Sequence, residues 1–452
     1  MNRNLTAYSI QNRLPVNATN SQKHTFNETE EYVFDMKYHI EESTFKGTVE
    51  VSGAKNSYLR LLAASLLTSS KVTLYNSPTK IRDGIVHLEM LEELGKNAKT
   101  KETNKEVALK EERTPLPHLE WEKRSIRNTL LILGALTTRL GSGSVPLPGG
   151  CNIGEGRPYD LHVYLLEELG AEVTDDGGTL SAEAPDGLQG TDIHLPIRST
   201  GATENSIICG TLAEGKTTVW NPHIRPEIMD LISMLRKMGA KIEVFGQERI
   251  EIEGVEELDG CEHTVIPDNL EALTWLVGSA ITDGDVQIEN FPFEYLSVPL
   301  KFLKESGSKI YRHEDSAIVR NSTSYPLEIS TGPYPGINSD MQPILAVYGS
   351  RANGQTKIVD LRFPGRYEYA GELEKMGLNY EIEDNLLVIE GGEPFTGAEV
   401  EALDLRAGAA LALAACVADG ETTIHNAEQV ERGYNDFVRK FDSLGGNIEV
   451  EE

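Results

Sequence analysis

Apolar and polar residues follow one another along this chain in a pattern that repeats. Each unit has a small-residue apolar stretch, a short run of β-branched residues that ends at Asn or Asp, a polar loop and an amphipathic helix that stops at a glycine. Six glycines mark the ends of these helices, at intervals of 75, 69, 68, 70 and 68 residues: Gly95, Gly170, Gly239, Gly307, Gly377 and Gly445. Such a fixed interval indicates one supersecondary unit that was copied and packed against itself.

The segment before Gly239 illustrates the unit. Its apolar residues recur with helical spacing on one face, at Ile228, Leu231, Ile232 and Leu235. Gly239 can adopt the positive φ that ends a helix. Residues 241–244 then alternate as a half-buried strand does. The repeated pattern therefore predicts interleaved helices and strands, and an α/β fold.

Six units divide naturally into two groups of three. We expect one domain from residues 36–54 together with 266–452, and a second from residues 55–265. Each is large enough for its own hydrophobic core, and a small-molecule site is expected between them. Residues 1–35 are polar and without periodicity, which favours a flexible tail over the alternative of a docked strand.

Charge and composition narrow the class of partner. The chain has 42 Lys and Arg against 71 Asp and Glu, a net charge of −29, which argues against nucleic acid. An anionic substrate would need a local basic pocket. The sequence shows no secretory signal and no apolar run of about 18 residues, so a cytoplasmic protein without a membrane partner is expected. Its partners are expected to be small molecules, and the oligomeric state stays open.

The four cysteines do not have the spacing of metal ligands, so no metal is expected. No other cofactor is expected either. Cys209 and Cys416 lie in small-residue apolar stretches and are predicted to be packed thiols, whereas Cys261 is predicted to lie in a polar loop. Cys151 lies in a glycine-rich loop, residues 148–158, that contains Arg157. A nearby cation lowers the pKa of a thiol, so a reactive thiol and a spectator are both open here.

Six motifs occur in order along the chain: Ser52-Gly53-Ala54-Lys55-Asn56, Leu147-Pro148-Gly149-Gly150-Cys151, Arg157-Pro158 with Asp160-Leu161-His162, Asp340-Met341-Gln342, Asp404-Leu405-Arg406 and Arg432-Gly433-Tyr434. From about residue 38 to the end, the chain resembles the UDP-N-acetylglucosamine enolpyruvyl transferase family. The resemblance implies a two-domain inside-out α/β barrel built from six βαβαββ-type repeats. It also implies transfer of the enolpyruvyl group from phosphoenolpyruvate to the sugar 3-hydroxyl, the first committed step of peptidoglycan synthesis.

The resemblance assigns three catalytic residues. Cys151 matches the loop cysteine that donates a proton to the methylene carbon and can form a covalent adduct. Asp340 matches the carboxylate that takes the proton of the attacking hydroxyl or orients it; the alternative is a cap of the helix that follows. Asp404 matches a second carboxylate with a role in proton transfer; the alternative is an ion pair with Arg406.

The resemblance also assigns the substrate-binding residues. Lys55, Arg157 and Arg432 match phosphate contacts, Arg366 and Arg406 match a pair that holds the carboxylate, Arg127 matches a further active-site arginine, and Asn56 matches a sugar contact. Ser199, Thr200 and Gly201 begin a helix whose free N–H groups suit a diphosphate. Pro158, Tyr159, Asp160, Leu161 and His162 match the segment that cradles the uridine and sugar. For any single arginine or lysine, the alternative is a surface residue or ion pair.

The chain departs from the family pattern near the acceptor. One additional residue separates Cys151 from Arg157, Ile197 stands where many members have a lysine, and Asn269 stands where an arginine is common. These differences leave open a paralogue that acts on another nucleotide such as UMP, and a catalytically silent protein that binds a UDP-sugar. The sibling family that acts on shikimate phosphate lacks the Pro-Gly-Gly-Cys loop, and the RNA 3′-phosphate cyclases are disfavoured by the net charge and the motif set.

Overall fold

A computed structural model describes residues 36–149, 159–320 and 324–452, which belong to one compact unit. The tail predicted for residues 1–35 lies outside the described residues. Helices and strands are interleaved throughout the described ranges. None of the helices found there is both long and apolar enough to cross a membrane.

The helices of the described residues are α1 Lys55–Ala64, α2 Arg82–Glu93, α3 Thr129–Leu140, α4 Asp160–Glu168, α5 Thr200–Gly210, α6 Pro226–Lys237, α7 Asn269–Ile281, α8 Ser297–Glu305, α9 Gln342–Ser350, α10 Glu368–Lys375, α11 Leu405–Ala415, α12 Glu428–Glu431 and α13 Phe437–Ser443. Short 3-10 turns cover Ser65–Leu67, Glu102–Asn104, Phe293–Leu296 and Ser339–Met341.

The strands are β1 Lys37–Glu41, β2 Lys46–Glu50, β3 Val72–Tyr75, β4 Lys96–Lys101, β5 Glu106–Glu111, β6 Ser142–Pro146, β7 Glu172–Asp175, β8 Thr179–Glu183, β9 Asp192–His194, β10 Lys216–Trp220, β11 Lys241–Phe245, β12 Arg249–Glu253, β13 Cys261–Thr264, β14 Asp285–Glu289, β15 Ile310–His313, β16 Ser316–Arg320, β17 Glu328–Ser330, β18 Gly354–Val359, β19 Asn379–Glu383, β20 Leu386–Gly391, β21 Phe395–Thr396, β22 Glu399–Glu401, β23 Ala418–Asp419, β24 Thr422–His425 and β25 Asn447–Glu451. Cys261 therefore begins a strand, and its prediction as a loop residue is wrong.

The sheets share one pairing pattern. In the order β13-β3-β5-β4, the first pair is parallel and the next two are antiparallel. The sheets β9-β10-β12-β11, β2-β14-β16-β15, β17-β18-β20-β19 and β22-β24-β1-β25 repeat it. The three-stranded sheet β6-β8-β7 gains the corresponding parallel neighbour through an isolated bridge between His118 and Ser144. The chain thus forms the same supersecondary arrangement repeatedly.

The glycines and asparagines that end the helices and strands have the backbone conformation that the repeat predicts. All six marker glycines have positive φ, between 82° at Gly445 and 108° at Gly95, a conformation that other residues rarely adopt. Asn76, Asn221 and Asn290 also have positive φ at the ends of β3, β10 and β14. Their side-chain amides donate to Val265, Leu195 and Val51, carbonyls that follow the parallel neighbour strand. Each of these asparagines therefore ends one strand and ties it to the next.

The buried apolar residues form two clusters. One contains the inward faces of α7, α9 and α11, which pack against one another; the other contains those of α1, α3 and α5. The four apolar positions of α6 predicted to face a core are fully buried in the second cluster. The first cluster draws on residues before position 52 and after 269, and the second on residues 58–265. The proposed domain boundaries stay a prediction.

The chain passes between the clusters at two adjacent places, and the two passages are bonded to each other. The Ala54 amide donates to the Ile266 carbonyl at 2.7 Å, and the Asp268 amide donates to the Ser52 carbonyl at 2.9 Å. The Lys55 amide donates to the Asp268 carboxylate at 3.1 Å. These contacts place the first residue of α1 at the junction of the two clusters.

Candidate functional site

Two of the predicted phosphate contacts lie together at this junction. Lys55 is the first residue of α1, and Arg432 directly follows α12. Both pair with Asp83, in the first turn of α2: Lys55 Nζ lies 2.8 Å from its Oδ2, and Arg432 Nε lies 3.1 Å from its Oδ1. All three side chains are buried. The carboxylate therefore joins cations from opposite ends of the sequence.

Burial and charge oppose each other in this cluster. Burial lowers the pKa of Lys55, Asp83 raises it, and Arg432 and Arg406 lower it further. Burial would raise the pKa of Asp83, but the charges of Lys55 and Arg432 outweigh it and hold that pKa at about 2. Asp83 is therefore ionised at neutral pH. The three side chains together carry a net positive charge when Lys55 is protonated.

Arg406 lies in the first turn of α11 and is 1% exposed. Its guanidinium stands 4.9 Å from the centroid of the Tyr434 ring. Burial would lower its pKa, but Tyr434, Asp268 and Asp340 raise it above its usual value. Among the described residues, its Nε and Nη1 have no hydrogen-bond partner. Buried donors of this kind are costly unless an acceptor such as a ligand carboxylate satisfies them.

Arg366 connects the two predicted catalytic carboxylates. Its Nη1 lies 2.8 Å from Asp340 Oδ1, and its Nη2 lies 3.0 Å from Asp404 Oδ2. Burial would lower the pKa of Arg366, but Asp340 and then Asp404 raise it above its usual value. Both terminal nitrogens already bind carboxylates, and its buried Nε has no hydrogen-bond partner among the described residues. Its role in holding a substrate carboxylate stays a prediction.

The structure contradicts both alternative roles considered for the carboxylates, an ion pair of Asp404 with Arg406 and a helix cap by Asp340. Asp404 does not pair with the Arg406 side chain; it caps α11 by accepting from the backbone amides of Arg406 and Ala407 at 2.7 and 2.9 Å. Asp340 is not a helix cap either. It lies within the turn Ser339–Met341, whose cap is Asn338, ahead of α9.

Electrostatic interactions act between these groups. Asp340 acts on Arg406 and on Arg225, and Arg406 acts on Lys55. Arg225 belongs to the segment between the two chain passages, whereas Asp340 follows the second passage. Residues from the segment between the two passages and from the segment after the second passage therefore lie near one another. Cys151, Arg157 and Pro158 lie outside the described residues.

The predicted acceptor-binding segments lie at two neighbouring helix N-termini. Ser199 caps α5 and accepts from the Ala202 amide at 3.4 Å. Buried His162, on α4, lies against Gly201: a Cβ on that glycine would stand 2.9 Å from His162 Nε2. Burial, with a smaller effect of Arg127, lowers the pKa of His162 to about 3, so the ring is neutral. These contacts bring residues 159–162 next to residues 199–201.

The remaining predicted residues flank these groups. Asn56 is half-buried on α1 and accepts from Arg60 at 3.5 Å. Thr200 Oγ1 lies 2.9 Å from His223 Nδ1. At the start of α4, Tyr159 and Leu161 are half-buried, whereas Asp160 is exposed. Their roles in binding stay predictions.

A large cavity among the described residues lies elsewhere. It has a volume of about 730 Å³ and is lined by residues of the second chain passage and by four carboxylates, those of Glu50, Glu289, Glu314 and Asp315. Clustered carboxylates repel an anion. The cluster of cations described above is therefore the better candidate for an anionic substrate, despite the size of the other cavity.

Comparisons with known proteins agree with this chemistry. The family model described as EPSP synthase (3-phosphoshikimate 1-carboxyvinyltransferase) matches residues 41–441. The UDP-N-acetylglucosamine 1-carboxyvinyltransferase of Finegoldia magna is 40% identical over 89% of this chain and 96% of its own length. UDP-N-acetylglucosamine 1-carboxyvinyltransferase 1 of Caldanaerobacter subterraneus is 40% identical over 91% of this chain and 99% of its own length. This chain belongs to the UDP-N-acetylglucosamine 1-carboxyvinyltransferase family.

Solved structures place this 1-carboxyvinyltransferase family member among enolpyruvyl transferases. The enolpyruvyl transferase NikO from Streptomyces tendae superposes with a TM-score of 0.83 at 26% identity, over 92% of this chain and 99% of its own. EPSP synthase from Acinetobacter baumannii superposes with a TM-score of 0.71 at 22% identity, over 92% of this chain and 100% of its own, which shows the fold alone. The mixed α/β fold expected from the sequence is confirmed.

Sequence reasoning missed three groups near the site of this family member. Asp83 lies in an ordinary amphipathic helix, and its acidic position in the first turn looks like a response to the helix dipole. Arg225 pairs with Glu227 through two nitrogens, at 2.7 and 2.8 Å. His223 accepts at Nε2 from the Tyr334 amide at 3.2 Å. Contacts between residues far apart in sequence, such as that between His223 and Tyr334, cannot be derived from spacing.

Proposed function

We propose that this protein transfers the enolpyruvyl group from phosphoenolpyruvate to the 3-hydroxyl of UDP-N-acetylglucosamine and releases phosphate, the first committed step of peptidoglycan synthesis. Relatives of that name, 40% identical over nearly the whole chain, support the proposal. The observation that carries it is the convergence of Lys55, Arg432 and Arg406 beside Asp340. The reaction needs cations that bind the anionic donor and a carboxylate that accepts the proton of the acceptor hydroxyl, and this arrangement provides both.

The donor carries a phosphate and a carboxylate, and the site offers separate cations for each. Lys55 and Arg432 suit the phosphate, together with Arg157, because ammonium and guanidinium groups form strong charged hydrogen bonds with phosphate oxygens. Arg406 suits the carboxylate, because its buried Nε and Nη1 lack partners among the described residues. A substrate carboxylate within reach of these N–H groups would satisfy them.

The reaction proceeds by addition and then elimination. In the addition, Cys151 gives a proton to the methylene carbon of phosphoenolpyruvate while the sugar 3-oxygen bonds to its central carbon and loses its proton to Asp340. In the elimination, the new methyl group returns a proton to the Cys151 thiolate, a carbon–carbon double bond forms again, and phosphate leaves with the electron pair of the broken carbon–oxygen bond. Asp404 is positioned 3.0 Å from the shared Arg366 to assist a proton transfer.

The finer architecture is part of the same proposal. The six sheets with one pairing order, and the two clusters that each contain three packed helices, support an inside-out α/β barrel in each half. The halves are residues 36–54 with 266–452, and residues 55–265. A cytoplasmic location belongs to the proposal as well, since both substrates are small soluble metabolites.

The acceptor is tested by incubating purified protein with phosphoenolpyruvate and one acceptor at a time, and following phosphate release. UDP-N-acetylglucosamine should support release, and UMP should not. Release with UMP and none with the UDP-sugar would instead identify a nucleotide-specific paralogue. Equilibrium binding of the UDP-sugar without any product would identify a silent binding protein.

A further inference from the structure

Asp83 holds the two phosphate-type cations in place, and none of the predicted roles uses it. Its Oδ2 faces Lys55 Nζ at 2.8 Å and Arg432 Nη2 at 3.5 Å, while its Oδ1 faces Arg432 Nε at 3.1 Å. Each carboxylate oxygen is thus engaged. Lys55, Asp83 and Arg432 come from three different helices or helix ends, so the contact is not a local feature of one element.

Two buried cations side by side are unfavourable without a carboxylate between them. Lys55 is 7% exposed and Arg432 is 5% exposed, so water screens their repulsion poorly. A lysine can escape by losing its proton, whereas an arginine cannot. A neutral Lys55 would be a poor ligand for phosphate. The arrangement therefore needs a compensating negative charge before the donor arrives.

We infer that Asp83 is a positioning residue for the donor phosphate: it keeps Lys55 protonated and holds Lys55 and Arg432 beside one carboxylate before the phosphate binds. When phosphate binds, its oxygens add to the cations that Asp83 has already aligned. Asp83 does not itself touch the reacting carbons. This inference rests on the proposed function only for the identity of the anion.

The charged groups around Lys55 all bear on this inference. Arg432, after α12, and Arg406, on α11, both lower the pKa of Lys55, and burial lowers it most. Asp268, before α7, accepts from the Lys55 backbone amide rather than from its ammonium group. Asp83, on α2, is the carboxylate that bonds the ammonium group. Its removal should therefore shift the balance toward neutral lysine.

The variant Asp83→Asn keeps the shape of the side chain and removes its charge. The measurement is kcat/KM for phosphoenolpyruvate across a pH series, with the acceptor saturating. The alkaline limb, where Lys55 loses its proton, should move down by about one to three pH units. At a pH on that limb, kcat/KM should fall by about ten-fold for each unit. The loss should shrink at lower pH, whereas a merely structural defect would be the same at every pH.

Two further variants serve as controls. Asp83→Glu keeps the charge, so its alkaline limb should stay near that of the wild type even if kcat/KM falls. Asp230→Asn also removes a buried carboxylate that bonds α1, through Ser57, but Asp230 pairs with His263 at 2.7 Å rather than with Lys55. Its alkaline limb should not move. A folded Asp83→Asn protein with an unshifted limb would overturn the inference.

A test on the wild-type protein covers the case in which Asp83→Asn does not fold, and it does not depend on turnover. Lysines are acetylated at graded pH in trace amounts, and the labelling of each is quantified by mass spectrometry. Lys55 should react as a charged lysine at neutral pH. Ready labelling at neutral pH, beyond that of exposed Lys301, would show a neutral Lys55 and refute the role of Asp83. If no acceptor supports phosphate release but the labelling shows a charged Lys55, only the proposed function is refuted.

Discussion

Arg366 donates from Nη1 to Asp340 Oδ1 across 2.8 Å and from Nη2 to Asp404 on its other side. One buried guanidinium therefore sets the relative position of two carboxylates that are distant in sequence. Asp340 lies 26 residues before Arg366, and Asp404 lies 38 residues after it. The proposed base and the proposed proton-transfer group are thus held by one side chain.

Replacement of Arg366 should damage both turnover and stability. In Arg366→Ala, the two carboxylates lose the cation that they share, and the expected loss of unfolding free energy is about 3 kcal/mol, with kcat reduced at least about a hundred-fold. Urea unfolding and steady-state kinetics measure the two effects. Arg320→Ala is the control, because its pair with Asp285 is about half exposed, and it should cost less than about 1 kcal/mol. Equal effects of the two variants would contradict the assignment.

Asp404 has two separable functions, a helix cap and a charge. Asparagine also caps helices well, so Asp404→Asn should lose the charge and keep the cap, whereas Asp404→Ala should lose both. We expect similar falls in kcat, and about 1 kcal/mol less stability for the alanine variant than for the asparagine variant. If Asp404→Asn keeps the wild-type kcat, Asp404 takes no part in proton transfer.

Cys151 is predicted to give a proton to the donor and to be the thiol that reacts with it. Cys151→Ser should slow turnover strongly and should not be labelled by an epoxide that mimics phosphoenolpyruvate. Cys151→Asp should resist the epoxide yet keep some activity, because a carboxyl group can also donate a proton. Mass spectrometry locates the label. Cys209 serves as an internal control, since burial raises its pKa to about 12 and keeps it unreactive.

Arg432→Ala should impair use of phosphoenolpyruvate more than use of the acceptor. Loss of a charged hydrogen bond to phosphate should raise KM for phosphoenolpyruvate by about ten- to a hundred-fold. Arg439→Ala is the matched control, because Arg439 lies nearby in sequence on α13 but is exposed and pairs with Asp436. An unchanged KM in Arg432→Ala would remove Arg432 from the phosphate site.

His87 should make the protein less stable in acid. It is fully buried on α2, neither ring nitrogen has a partner among the described residues, and burial, followed by Arg60, lowers its pKa to about 3. An unfolded histidine has a pKa of about 6.5. Between these two values the unfolded chain binds a proton that the folded chain does not, so stability should fall as pH decreases, by about 1.4 kcal/mol per pH unit.

Two substitutions of His87 separate titration from the burial of polar atoms. His87→Leu and His87→Gln both remove the titrating group, so urea unfolding between about pH 7 and about pH 5 should show a smaller loss of stability in each. Only His87→Leu removes the unpartnered polar atoms, and it should gain about 1 kcal/mol at neutral pH. A pH slope equal to that of the wild type in both variants would show that His87 does not titrate in this window.

Local features of the fold could be predicted from the sequence because their causes are local. The six marker glycines occupy positive φ because helix ends need that conformation, and Asn76 ends its strand for a similar reason. The apolar face of α6 is buried because its spacing matches the helical period. These constraints act within a few residues and can be identified without a neighbour.

The pairings of charged residues could not be predicted in the same way. Spacing suggested that Asp404 pairs with Arg406, two residues away, but the structure pairs Asp404 with Arg366, and Arg406 contributes only its backbone amide. Side chains that are two apart on a helix do not face each other, so the nearer cation was the poorer partner. Asp83 lies 349 residues from Arg432 in sequence, so their pairing can be identified only from the folded structure.

The two adjacent chain passages have a consequence for protein engineering. Because Ala54 and Ile266 share a hydrogen bond, the stretch between them leaves the rest of the molecule and re-enters it at almost the same point. If the chain is cut at both passages, a short linker can therefore join the residue before the first cut to the residue after the second. Two separately expressed polypeptides divided there offer a route to a split enzyme, in which activity reports their reassociation.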